Sequence, residues 1–182
     1  MLKSLLAVTL TTALFVSISY AKDKKQTNTQ QQKTSIQTSN KGSDSGNGLV
    51  VYKVDGDPGD VMIALKGNLE AAQIIVVTTT DPVAPLANNI KLFPDYKKLK
   101  VDYMQNFLVT SMATLYKIVT NDPNAIALSP FVITIYQYEG DDKTYIVRTR
   151  PSLLLEGTKY PQAKEAVEEL ENRIDQAIKS LM

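Results

Sequence analysis

The stretch PFVITIYQYEGDDKTYIVRTRP, Pro130–Pro151, decides how this chain folds. Apolar residues alternate on both sides of an acidic turn, which is the period of two half-buried strands. Taking Glu139–Asp142 as a four-residue loop sets the pairing. Tyr138 then faces Lys143, Tyr136 faces Tyr145, Ile135 faces Ile146, Arg148 lies opposite Ile133, and Arg150 lies opposite Phe131. A slip of one residue would move every side chain to the other face, so the loop length fixes both faces at once. One face carries the isoleucines and both arginines. The other collects Val132, Thr134, Tyr136, Tyr138, Tyr145 and Val147, aromatic and half apolar.

Working outward, GLVVYKV (Gly48–Val54) is a β-rich run broken by DGDPGD. There Asp57 before Pro58 is an N-cap with proline at the first helical position. The helix that follows carries Val61, Leu65, Leu69 and Ala72 on one stripe, and QIIVVTTT (Gln73–Thr80) is a second strand dense in β-branched residues. Three prolines make DPVAPLANNIKLFPDYKK an irregular connection with one short turn of helix. LKVDYMQNFLV (Leu99–Val109) alternates as a third strand, and a short helix runs from a Thr110 or Ser111 cap to the stop at Asn121, Asp122 and Pro123. After the hairpin, Gln162–Leu181 is the clearest helix. Its apolar face is Ala163, Val167, Leu170, Ile174, Ile178 and Leu181, with Glu165, Glu168, Glu169 and Glu171 outside it. The order β-α-β-β-α-β-β-α predicts an α+β fold, a mostly antiparallel sheet with helices packed on one face.

Ahead of this single domain (48–182) the sequence changes character. Lys3 followed by the uncharged run Leu5–Ser19 and the small residues Ser19 and Ala21 reads as a signal peptide over 1–21, implying export to the periplasm or outside the cell. The alternative is an uncleaved signal anchor, the one route by which this chain would hold a membrane. Residues 22–47 contain one large apolar residue, Ile36, too few to offset the entropy of ordering, and are expected to be a disordered polar leader. Its purpose is open between tether and solubilising segment. Five lysines and two aspartates give the leader +3, against −3 for the domain. A mildly acidic domain lacks the charge that phosphate binding needs, so nucleic acid is not an expected partner.

The composition also narrows the chemistry. With no histidine and no cysteine, the chain lacks the commonest general base, the commonest metal-ligand set, a thiolate nucleophile and any disulfide. No glycine-rich phosphate loop is present. Asp55, Asp57 and Asp60 are read as turn and cap residues, since Asp60 and Lys66 stand where a calcium loop needs glycine and glutamate. The remaining acids fall at turns or on the outer face of the last helix, where they look solvated. No metal or cofactor is expected. The candidates for ligand binding are Arg148 and Arg150, whose paired donors suit a small carboxylate, sulfate or phosphate, with Tyr136 and Tyr145 nearby. The competing role for the arginines is ion pairing to the glutamate-rich last helix.

Four stretches, GLVVYK, AAQIIVVTTTD, NDPNAIALSPFVITIYQYEGDDKTYIVRTRP and AKEAVEELENRIDQAI, resemble the domain-of-unknown-function 302 family over nearly all of 48–182. The resemblance implies a compact α+β domain that pairs into dimers, with no established activity. Many members carry a cysteine after the proline matching Pro130, where this chain has Phe131, so a thiol role does not carry over. The expectation is a non-enzymatic exported binding or interaction module, a homodimer able to hold a small anionic ligand. The alternatives are an envelope hydrolase or isomerase using carboxylate, lysine or tyrosine chemistry, and a structural envelope component.

Overall fold

The computed structural model describes Ser43–Asp44 and residues 48–182. The expected signal peptide and most of the expected leader lie outside the described residues. The elements are β1 (Ser43–Asp44), β2 (Leu49–Asp55), α1 (Pro58–Ala71), β3 (Ile75–Thr80), α2 (Ala84–Asn88), β4 (Val101–Thr110), α3 (Met112–Asn121), β5 (Phe131–Tyr138), β6 (Lys143–Thr149) and α4 (Pro161–Lys179). Short 3-10 turns at Pro94–Leu99, Pro123–Leu128 and Pro151–Leu155 each begin on a proline, whose fixed φ suits a helical start. The six strands form one antiparallel sheet in the order β1-β2-β6-β5-β4-β3, and the chain is α+β as its pattern predicts. The two-residue β1 lies inside the stretch read as leader and pairs with Val50 and Val51.

The β5–β6 hairpin has the expected register, with Tyr136 opposite Tyr145, Ile135 opposite Ile146 and Ile133 opposite Arg148. That register sorts the sheet into two unlike faces. On one, the cross-strand rows Tyr52–Ile146–Ile135 and Val50–Arg148–Ile133–Phe107 are buried beneath α1 and α4. Leu65 and Leu69 of α1 and Val167, Leu170, Ile174 and Ile178 of α4 close this core, each worth roughly 1.5–3 kcal/mol on burial. Asp57 caps α1 as expected, its Oδ1 accepting from the Gly59 amide at 2.8 Å. On the other face, the rows Lys53–Tyr145–Tyr136–Met104 and Val51–Val147–Thr134–Asn106 carry none of the packed helices among the described residues.

Candidate functional site

The helix-covered face takes in Arg148. It is 5 % exposed, and its guanidinium forks onto Asp175 of α4, with Nε donating to Oδ1 and Nη2 to Oδ2 at 2.7 Å. Nη1 donates to the Thr149 carbonyl at 2.9 Å and stands 3.9 Å from Glu171 Oε2. Burial works against the charge on Arg148, but the Asp175 bond and charge outweigh it and hold the guanidinium ionised. Beside it, burial first, then the hydrogen bond and charge of Asp175, keep the Tyr52 phenol above its ordinary range. Of the two roles left open by the sequence, this geometry gives Arg148 the structural one.

Two acids in this network escaped the sequence pattern. Glu171, expected on the solvated side of α4, is 5 % exposed and accepts from the Ser152 amide at 2.8 Å and the Ser152 hydroxyl at 3.0 Å. The Pro151–Leu155 turn folds over α4 and delivers those donors, which a helical wheel cannot foresee. Asp175 follows Glu171 by four residues, the spacing that stacks two side chains on one helix flank. Two acids so spaced beside an apolar stripe, with an arginine on a neighbouring strand, were the available signal.

Arg150 goes elsewhere. β6 ends at Thr149, and the Arg150 amide donates to the Gly48 carbonyl at 2.7 Å as the chain turns into Pro151. Arg150 and Thr149 line a cleft of about 490 Å³ together with the apolar Leu49, Leu128, Leu153 and Leu154. Only two residues apart in sequence, the two arginines therefore do not converge.

The tyrosines gather on the open face. Tyr136 and Tyr145 stack with centroids 5.0 Å apart and planes 12° apart, and Tyr138 meets both edge-on at 5.3 and 5.4 Å. Such pairs add about 0.5–1.5 kcal/mol beyond area burial. The Lys53 ammonium lies 5.1 Å from the Tyr145 ring centre, and the Tyr145 hydroxyl donates to Asp141 Oδ2 at 3.0 Å. The Tyr145 bond raises the Lys53 ammonium above its usual value. Asp141 is pulled upward by desolvation, yet bonds from Tyr145 and the Lys143 amide, with the Lys53 charge, leave it below the ordinary carboxylate range. Burial, then Tyr138, raises the Tyr136 phenol. From Tyr145 to Arg150 the chain runs about 16 Å at roughly 3.3 Å per residue, so the tyrosines and Arg150 serve different surfaces.

Phe131, at the position where a thiol was considered, is buried core on β5. Comparison with known proteins matches residues 50–181 to the family described as domain of unknown function DUF302. A similar solved structure is the crystal structure of an uncharacterized conserved DUF302 protein from Bacillus stearothermophilus. It has a TM-score of 0.60 and 14% identity over 75% of this chain and 99% of that one. At that identity the likeness speaks for the fold. No curated protein matches the chain.

Proposed function

Given that the chain belongs to the DUF302 family, whose members share a fold without an assigned activity, we propose that it is an exported, non-enzymatic interaction module that pairs with a second copy through its open sheet face. One observation carries the reading. Among the described residues the packed helices lie on a single side of the sheet, and the other side presents Val51, Val147, Thr134 and the Tyr136–Tyr138–Tyr145 cluster. In its two central rows Lys53 is the one charged residue, so two such faces can meet without strings of like charges opposed. Two sheets stack about 10 Å apart when their facing side chains are of this half-apolar kind.

Sedimentation of the purified chain tests this. Wild type should run at the mass of two chains at micromolar concentration, and Val147→Glu should run as one chain with an unchanged far-ultraviolet spectrum. Wild type sedimenting as one chain throughout would sink the proposal.

A further inference from the structure

Between β3 and β4 the chain makes an excursion, Asp81–Lys100, in which not one residue is buried. It contributes nothing to the core, yet it presents large apolar side chains to solvent. Leu92 is 75 % exposed, Leu99 52 % and Phe93 47 %. Scattered exposed hydrophobics are ordinary, but three within eight residues on a segment with no buried residue form a patch. Interleaved with them are Lys91, Lys97, Lys98 and Lys100, against one acid, Asp95, for a net charge of +3 over ten residues. Asp95 binds Lys98 at 2.6 Å, and among the described residues no ion pair reaches Lys91, Lys97 or Lys100. The arm is held in place at its end, where the Glu139 amide donates to the Lys100 carbonyl at 2.8 Å, and the 3-10 turn Pro94–Leu99 stiffens it.

We propose that this arm docks on an anionic lipid surface. The mixture is the one that interfacial segments use. Leucine and phenylalanine enter the boundary between headgroups and acyl chains, while lysines lay their methylene stems on apolar surface and keep their ammonium groups with the phosphates. The attraction is short-ranged, because Asp81, Asp102 and Glu139 bracket the two ends of the arm and charge is screened within about 10 Å at 0.1 M salt. The contact is peripheral, since among the described residues no helix is long and apolar enough to cross a membrane. It is independent of pairing through the sheet face.

The chain contains no tryptophan, so Phe93→Trp places a single reporter in the arm. Its emission is read against vesicles of phosphatidylcholine alone and of phosphatidylcholine with phosphatidylglycerol. Because the reporter sees only the arm, the N-terminal apolar run cannot imitate the signal. A blue shift with the anionic vesicles, weakened by salt, is expected. Adding Lys91→Ala, Lys97→Ala and Lys100→Ala should lower partitioning about a hundredfold, at roughly fivefold for each lysine. All four substitutions fall on exposed residues, and an unchanged thermal midpoint checks that the fold persists. No shift with anionic vesicles would overturn the proposal, as would an equal shift with both compositions. A shift that grows with protein concentration in the absence of lipid would also overturn it, since a second copy would then be the occupant.

Discussion

Arg148 keeps its charge inside the layer between the sheet and α4 because Asp175 meets it with a two-pronged hydrogen bond. Removing one partner of a buried pair leaves the other charge without compensation, at a cost of about 3–5 kcal/mol. Arg148→Ala is therefore expected to lower the urea midpoint strongly. The double change Arg148→Met with Asp175→Leu should recover most of the loss, because apolar replacements of similar volume remove the desolvation cost together with the attraction. Denaturation curves of the single and double variants check both. Tyr52 and Tyr136 give a second expectation at this scale, since both phenols titrate above their usual range. Below about pH 10 these groups are protonated in the folded and the unfolded chain alike, and stability has its full value. Above it the unfolded chain releases protons that the folded chain retains, so stability should fall as pH rises. Tyr136→Phe should flatten part of that decline, and absorbance near 295 nm should show two of the nine tyrosines ionising last. A stability independent of pH in this range would contradict the buried setting of Tyr52 and the half-buried setting of Tyr136.

At the scale of elements, the hairpin shows what a local pattern can settle. Period-two alternation and a four-residue loop determine register with no knowledge of the rest of the chain, and the observed pairing of Ile135 with Ile146 follows from them. The Asp57 cap and the α4 stripe are equally local, so both were legible. Leu170→Ala on that stripe should cost about 2–5 kcal/mol, read from a denaturant midpoint, because the side chain is fully buried between α4 and the sheet. What was not legible depends on contacts distant in sequence. Glu171 looks like a surface residue until the turn carrying Ser152 is laid over it. Alternation carries the strand on through Arg150, whereas β6 stops at Thr149 before the turn that starts at Pro151. The candidate residues Arg148, Arg150, Tyr136 and Tyr145 are thus distributed over a buried network, a cleft and an open face. Alternation assigns a residue to a side of the sheet, but it does not say where the strand stops.

For the whole molecule, the division of the sheet into a covered and an open face is the organising fact. The covered face holds the core and the Arg148–Asp175 pair. The open face holds tyrosines that shield one another, and Tyr145 among them is buried with no described helix above it. The arm at Asp81–Lys100 and the cleft at Arg150 are further surfaces of the molecule. Because the sequence has no cysteine, Val147→Cys bears a single nitroxide label in the middle of the open face. If two copies pair there, pulsed electron-electron measurements should find labels on different chains within about 30 Å, since stacked sheets lie roughly 10 Å apart and each label adds its own reach. A label at Lys179→Cys, at the end of α4 on the covered side, should give a longer distance. Dimers whose shorter distance is at Lys179, or no interchain coupling at Val147 under conditions where the label is intact, would contradict the open face as the surface through which this protein acts.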